Sequence, residues 1–369
     1  MHYLNKMDNS YLINRRNFLK TSLGAVAGTV LLKPSRQFTQ QVEIPNFERL
    51  GRLCTGGEGA PFEFKVKPSI NSPIARVLYR DDVVPWVREV VASTLDYSDF
   101  NQRWVETDQG YIYGAHLQPV KNILNAPLTE LPAYGSEPGM WVEVTVPVVD
   151  LVLTQPPSGY WLRTVLKPRI YYGQVFWCDN ISQDANGQIL YRLSEKKGSL
   201  PDYYYAKAET CKPITPEDMT VLSPEVEDKK IIVNLTRQTL SAYENGREVF
   251  FCRVSTGPNL SDGWSTPPGD HPIRWKLVSL HMSANASKGE AFDTSGIGWT
   301  TMFTSEGAAV HAAYWHNEFG KARSHGCVNC LPEDAKWIWR WTLPHVEYVP
   351  GELEIKGMNA SDRVTVQVD

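Results

Sequence analysis

The sequence has no apolar run near its N-terminus that is long enough to cross a membrane as a helix. The uncharged run there covers residues 21–32, between Lys20 and Lys33. Twelve residues rise only about 18 Å as a helix, whereas the hydrocarbon core of a bilayer is about 30 Å thick. A stable transmembrane helix is therefore not expected in this segment.

The sequence also has no large excess of either charge. Its 37 basic residues nearly balance its 41 acidic ones, so nothing in the overall charge draws the protein toward nucleic acid or an anionic membrane. We expect no nucleic-acid partner. The acidic residues show no paired spacing of the kind that a glycosidase requires.

Cysteine is sparse, with six residues in 369 and no regular spacing between them. This excludes a small scaffold held together by disulfides. One pair, Cys178 with Cys211, could close in an oxidising compartment if the two Cα atoms come within bonding range.

The first residues are typical of an export signal. The segment Asn14-Arg-Arg-Asn-Phe-Leu-Lys20 precedes the uncharged run and resembles a twin-arginine signal. A short buried helix of the mature protein is the alternative. We predict an exported protein, in the periplasm or at the outer face of the cytoplasmic membrane or cell wall. A membrane tether would exist only through an uncleaved signal, since Cys54 lies too far downstream to accept a lipid.

The remainder of the chain is predominantly β in pattern. Alternating apolar residues around Asp108-Gln109-Gly110 and around Asn245-Gly246 indicate hairpins. Residues 104–114 resemble the signature of bacterial Src-homology-3-like barrels, with a generic hairpin as the alternative. One convincing helix begins near Pro332 and ends before Pro344.

These patterns divide the chain into six regions. We predict a signal segment (1–37), a linker (38–70), a Src-homology-3-like β-module (71–125), a second β-module (126–222), a catalytic domain (228–348) and a C-terminal tail (349–369).

Reactive side chains concentrate between residues 310 and 330, which contain three histidines and two cysteines. A thiolate attacks carbonyl groups, but a free thiol is mostly protonated at neutral pH, so a nucleophilic cysteine needs a base. Histidine titrates near neutrality and can take this proton and return it to a leaving amine. The glycine before Cys327 allows a tight turn in which successive amides point at one developing oxyanion.

The order of these motifs resembles the catalytic domain of the L,D-transpeptidase family, also called YkuD-type. The core of the resemblance is Ser324-His-Gly-Cys-Val-Asn329 with His311 upstream. Further matching segments are Lys230-Ile-Ile-Val-Asn-Leu235, Gln238-Thr-Leu-Ser-Ala-Tyr-Glu244, Val254-Ser-Thr-Gly257, Thr266-Pro-Pro-Gly269 and His311 through Gly320.

The resemblance implies a β-sandwich-like catalytic domain that needs no metal or organic cofactor. Its partners would be the donor and acceptor stem peptides of peptidoglycan. Cys327 would attack the carbonyl of the third stem residue, expel the terminal D-alanine and hold the stem as a thioester. An amine of a second stem would resolve the thioester to a 3→3 cross-link. His311 would be the base, oriented by the carbonyl of Ala312, and carbapenems would acylate Cys327.

The resemblance also implies roles for the surrounding residues. The amides of His325, Gly326 and Cys327 would donate to the oxyanion, while Ser324 and Asn329 shape the loop. The predicted substrate-binding residues are Trp315, Tyr314, His316, Arg323 and His281.

Several alternatives remain open from the sequence. Cys330 creates a C-x-x-C spacing, which a redox dithiol would use, and Cys327, Cys330, His325 and His316 are a possible zinc ligand set. His316 competes with His311 as the base. Water could resolve the thioester, which would make an L,D-carboxypeptidase or amidase. A non-catalytic wall-binding protein is the remaining class.

Overall fold

The protein is mainly β. The computed structural model describes residues 42–57, 59–95, 101–152, 168–195, 204–258, 264–284, 292–356 and 362–368. Within these ranges it has twenty-five strands, β1 to β25, and one α-helix, α1 (Pro332–Trp341). No helix in the described part is long and apolar enough to span a membrane. The signal predicted for residues 1–37 lies outside the described residues.

The first β-unit, residues 50–120, consists of two antiparallel sheets. The smaller has the order β4-β1-β8 and the larger the order β3-β2-β7-β6-β5. The predicted hairpin around Asp108 is present, with β6 paired to β7. The strands of the first β-unit are β1 (Leu50–Leu53), β2 (Pro61–Lys65), β3 (Ile74–Tyr79), β4 (Val83–Pro85), β5 (Arg88–Val91), β6 (Arg103–Thr107), β7 (Gly110–Tyr113) and β8 (Leu117–Val120).

The predicted linker over residues 38–70 is wrong from Leu50 onward. Strands β1 and β2 lie there, and Leu50, Leu53 and Phe64 are fully buried. The local pattern gives little sign of β1, because its four residues are all buried and one of them is a charged arginine. Only partners far along the chain make such a strand stable.

The second β-unit, residues 140–213, has a five-stranded sheet with the order β14-β13-β12-β9-β15 and a separate two-stranded pair, β10-β11. A 3₁₀ turn at Pro216–Met219, with a capping box formed by Thr215 and Asp218, follows it. The strands are β9 (Met140–Val144), β10 (Val148–Asp150), β11 (Arg169–Tyr171), β12 (Val175–Gln183), β13 (Ile189–Ser194), β14 (Tyr204–Lys207) and β15 (Cys211–Pro213).

The C-terminal β-unit, residues 229–367, has two five-stranded sheets with the orders β18-β17-β16-β25-β19 and β23-β22-β21-β20-β24. Asn245 and Gly246 both have positive φ, which confirms the hairpin predicted there. The strands are β16 (Lys229–Asn234), β17 (Thr239–Glu244), β18 (Arg247–Arg253), β19 (Gly269–Pro272), β20 (Trp275–Ala284), β21 (Phe292–Met302), β22 (Ala309–Ala312), β23 (Val328–Cys330), β24 (Glu352–Glu354) and β25 (Arg363–Gln367).

The predicted tail over residues 349–369 is also wrong. Strand β25 lies inside a sheet, parallel to β16 and antiparallel to β19, and β24 pairs with β20. Val364 and Val366 of β25 point into the core. Their alternation with polar neighbours is a strand pattern, and the two partner strands precede it by about a hundred residues in sequence.

The apolar faces of the two C-terminal sheets share one core. Ile231 and Leu240 from one sheet cluster with Val278 and Val310 from the other, and α1 closes the cluster with Trp339. The helix thereby covers the strands that carry the candidate catalytic residues, β22 and β23.

Candidate active site

The two predicted catalytic residues are carried by neighbouring parallel strands. His311 lies on β22 and is paired with Asn329 of β23, while Cys327 immediately precedes β23. Paired residues face the same side of a sheet, and so do residues two apart on one strand. Cys327 therefore lies two residues before the residue that pairs with His311.

The ring of His311 is held in the tautomer that a base requires. Its Nδ1 lies 3.0 Å from the carbonyl oxygen of Ala312. Since a carbonyl only accepts, Nδ1 donates, and Nε2 keeps its lone pair. Burial lowers the pKa of His311 to about 4, because the charged ring would lose its water. His311 is thus a neutral base at physiological pH.

Cys327 carries a protonated thiol in the resting site. Its side chain is partly exposed, and its Sγ lies 3.8 Å from the carbonyl oxygen of Gly307. Desolvation raises the pKa of this thiol to about 11, against a smaller lowering by the amide of Ala309. Both Cys327 and His311 are thus uncharged at neutral pH.

The loop before Cys327 is tied by Ser324. The Ser324 hydroxyl donates to the carbonyl of Cys327 and accepts from the amide of Gly326 at 3.1 Å. Gly326 has φ +111°, a conformation that residues with a side chain rarely adopt.

One of the three predicted oxyanion donors has a hydrogen-bond partner within the loop. The N–H of Gly326 is committed to Ser324 within the loop. The amides of His325 and Cys327 remain the candidate donors.

The Cys327 loop rests on a segment that precedes it by seventy residues, Ser255 to Gly257. Ser255 exchanges two backbone hydrogen bonds with Asn329, and the Thr256 carbonyl accepts from the amides of Arg323 and Ser324. A Cβ at Gly257 would lie 2.0 Å from the carbonyl oxygen of Trp264 and 2.9 Å from the amide nitrogen of Gly326. In the sequence, this segment stands out only through the family resemblance, and nothing near it indicates a supporting role.

His316, the competing base, is fully engaged by the protein. Its Nδ1 accepts from the amide of Glu318 at 3.1 Å, and its Nε2 lies 2.8 Å from the side-chain amide of Asn329. Because Nδ1 accepts, the neutral ring carries its proton on Nε2, and the Asn329 oxygen is the partner that fits this position. Burial lowers the pKa of His316 to about 3. This arrangement favours His311 as the base.

The aromatic residues predicted to bind substrate fall in two places. Trp315 is half-buried, with its ring centre 5.9 Å from that of His311. Tyr314 is buried, donates to the Ser295 carbonyl at 3.3 Å and stacks on Tyr171 of the second β-unit. Trp315 is therefore positioned at the candidate site, whereas the Tyr314 side chain contacts the second β-unit.

The remaining predicted residues lie in three different environments. The exposed ring of His325 contacts Trp264 at 4.2 Å between centres. Arg323 is exposed and pairs with Glu318 at 2.9 Å. His281 is buried, with Nδ1 2.5 Å from a carboxylate oxygen of Glu195.

The redox alternative for Cys327 and Cys330 does not fit the structure. Three residues of extended chain separate their Cα atoms by about 10 Å, beyond the roughly 7 Å that a disulfide tolerates. Cys330 instead points into the core, where a hydrogen bond to Cys252 and burial raise the pKa of its thiol.

The other cysteine and metal alternatives also lack support. Cys178 and Cys211 lie on the two strands that flank β9, about 9.6 Å apart at the closest, too far for a disulfide. Within the described ranges, no group of three or more His, Cys, Asp or Glu side chains is arranged to hold a metal ion.

The sequence of the C-terminal β-unit matches the model of a known protein family. Residues 228–366, fewer than half of the chain, match the sequence model of the YkuD family, the L,D-transpeptidase catalytic domain. No curated protein matches the chain.

Among the solved structures that are similar to this chain are three that are named as L,D-transpeptidases. A cysteine-to-serine mutant from Enterococcus faecium is 20% identical with a TM-score of 0.30, and the match covers 42% of this chain and 56% of that chain. The Mycobacterium smegmatis enzyme is 14% identical with a TM-score of 0.31, covering 51% and 98%. L,D-transpeptidase 3 from Mycobacterium tuberculosis, in complex with a faropenem-derived adduct, is 16% identical with a TM-score of 0.30, covering 51% and 77%.

The chain thus spans little more than half the length of the Enterococcus protein. The family match contains both Cys327 and His311 and includes β25, which the sequence prediction had assigned to a tail. The part of the chain that carries the candidate site is therefore similar in sequence to the catalytic domain of the L,D-transpeptidase family.

Proposed function

We propose that this protein is an exported peptidoglycan L,D-transpeptidase that forms 3→3 cross-links through a thioester on Cys327. The observation that supports the proposal is the pairing of β22 with β23, in which a tautomerically fixed, neutral His311 pairs with Asn329, two residues after Cys327, inside a segment that matches this family.

The proposed reaction has two acyl transfers. In the first, Sγ of Cys327 attacks the carbonyl carbon of the third stem residue while Nε2 of His311 takes the thiol proton. The bond to the terminal D-alanine breaks, and His311 returns the proton to the departing amine. In the second, the side-chain amine of another stem attacks the thioester, His311 accepts its proton, and the thiol is restored.

Charge stabilisation in both steps falls to the Cys327 loop. The tetrahedral intermediate carries a negative oxygen, which backbone amides in a tight turn can hold. In known enzymes one such donor is worth about 2.7–4 kcal/mol of activation free energy. The positive φ of Gly326 and the two hydrogen bonds of Ser324 keep this turn in place.

The direct test is incubation of the purified protein with disaccharide-tetrapeptide, followed by mass spectrometry of the products. We expect a cross-linked dimer and free D-alanine. Tripeptide without dimer would instead assign the carboxypeptidase reaction, in which water replaces the acceptor amine. Unchanged substrate would contradict both and leave the wall-binding class.

Two variants sharpen the test. Cys327→Ala should abolish the product, whereas Cys211→Ala, which alters a buried thiol in the second β-unit, should retain it. A carbapenem should add its mass to the wild-type protein and not to Cys327→Ala. An equal carbapenem adduct on both variants would contradict the role of Cys327.

A further inference from the structure

The segment that connects His311 to the Cys327 loop is hydrogen-bonded to the first β-unit. We call residues 313–320 the connecting segment. Asn317 within it is buried, and its side-chain amide donates to the carbonyl oxygens of Gly114 and Leu117, both at 2.9 Å. Its backbone amide donates to the carbonyl of Ala115 at 3.2 Å. One residue thus closes three hydrogen bonds onto a single turn of the first β-unit.

Arg52 on β1 makes a second connection between the first β-unit and the connecting segment. Its guanidinium is 1% exposed and donates to the backbone carbonyl of Tyr314 at 2.6 Å. The same group pairs with Asp81 at 3.0 Å and donates twice to the side-chain oxygen of Gln118. Its planar face lies over the ring of Tyr171, 4.2 Å from the ring centre. Arg52 therefore links the connecting segment to both β-units at once.

Burying a guanidinium or an amide without partners costs free energy, so these pairings are a specific feature of the interface. A guanidinium is buried only where charge and hydrogen bonds replace its lost water, and here Asp81, Gln118 and the Tyr314 carbonyl do so. The Asn317 amide likewise directs both of its N–H groups at carbonyls. Each is a specific polar contact between buried groups.

The connecting segment reaches both sides of the candidate site. Trp315, next to Tyr314, stands beside His311. His316, next to Asn317, contacts the side chain of Asn329, two residues after Cys327. A shift of the segment would therefore move the ring that flanks the base and the support of the cysteine strand together.

We propose that Asn317 and Arg52 are positioning residues, through which the first β-unit holds Trp315 beside His311 and supports the strand that follows Cys327. This inference rests on the proposed function for its effect on turnover. Its effect on the thiol itself is independent of the substrate.

The two effects have opposite signs, which separates positioning from simple loss of stability. When the segment loosens, kcat/KM should fall, since a misplacement of about 1 Å can cost about a hundredfold. At the same time the strand after Cys327 should lose the support of His316, so the partly exposed thiol should become more accessible and its alkylation at neutral pH faster.

The experiment uses the full-length chain with Asn317→Ala and Arg52→Met, each compared with Tyr172→Phe. Tyr172 makes a different contact between units, a hydrogen bond of 3.5 Å to Glu333 of α1, and serves as the matched control. Iodoacetamide labelling of Cys327 is followed against pH, alongside kcat/KM and the melting temperature. Arg52→Lys, which keeps a buried cation, replaces Arg52→Met if that variant does not fold.

We expect both test variants to label Cys327 at least about fivefold faster at pH 7.5 and to lose at least about tenfold in kcat/KM, with Tyr172→Phe near wild type. Unchanged labelling in folded Asn317→Ala and Arg52 variants would overturn the inference, as would equal effects in Tyr172→Phe. If the wild type makes no cross-link, the labelling result still decides this inference separately from the proposed function.

Discussion

At the scale of single residues, desolvation acts on Cys327 and His311 in opposite directions. It raises the pKa of the thiol to about 11 and lowers that of the imidazole to about 4. Both shifts disfavour a resting thiolate–imidazolium pair, because each would place an ion where water is scarce. Under the proposed function, the thiolate would therefore form only when a substrate carbonyl is in place.

This electrostatic state predicts the pH dependence of the enzyme. His311 acts as a base only when neutral, so activity should persist as the pH falls through 6.5 and decline only as it approaches about 4. The measurement is kcat/KM for cross-linking against pH, with melting temperatures to exclude unfolding. An acid limb centred near 6.5 would mean that the ring is solvated and would contradict this description of the site.

The residues flagged by sequence were those whose chemistry is intrinsic to their type. A cysteine after glycine with histidines nearby is a recognisable acyl-transfer pattern. Arg52 and Asn317 were not identified, because nothing near them in sequence distinguishes them from solvated polar residues. Their importance depends on partners 262 and 203 residues away along the chain.

At the scale of elements, the contact between Gly257 and Gly326 determines where the Cys327 loop lies. In Gly257→Ala the new Cβ would collide with the carbonyl of Trp264, which is backbone and cannot rotate away. We expect a loss of about 1–3 kcal/mol in the free energy of unfolding and a larger proportional loss of kcat/KM, since the oxyanion turn moves.

The matched control is Gly57→Ala, where no atom lies within 4 Å of the new Cβ. Thermal unfolding and cross-linking rates are measured for both variants. Gly57→Ala should behave like the wild type. If Gly257→Ala also keeps wild-type activity, the loop does not depend on this contact.

Elements with local signals were predictable, and those with distant partners were not. The Asn245-Gly246 hairpin and α1 follow from turn and helix-end residues close in sequence. Strand β25 has the alternating pattern of a strand, but its place between β16 and β19 depends on segments about a hundred residues earlier. Local sequence thus predicts that a strand forms, but not which sheet it joins.

At the scale of the whole molecule, residues 41–369 form one compact unit rather than separate modules. The second β-unit and the C-terminal β-unit share a core in which Trp141 is central. Its indole N–H donates to the carbonyl of Tyr348 at 2.9 Å, and its backbone amide donates to the Tyr348 hydroxyl at 3.0 Å. The predicted separation at residues 222–228 therefore does not divide the hydrophobic core.

This shared core predicts cooperative unfolding. Calorimetry should show the two β-units melting in a single transition. Trp141→Ala should lower the free energy of unfolding for that whole transition by about 3–5 kcal/mol. Val152→Ala, at an exposed position of the second β-unit, is the control and should change little. Two transitions, of which Trp141→Ala moves only one, would show that the units fold independently.

The central claim is that Cys327 carries the stem peptide as a thioester during the reaction. The most direct measurement mixes the protein with disaccharide-tetrapeptide, quenches in acid within the first turnover and maps the modified peptide by mass spectrometry. We predict a mass increase equal to the substrate less D-alanine, located on Cys327 and absent from Cys327→Ala. Cross-linked product formed without this adduct, or by Cys327→Ala, would contradict the account.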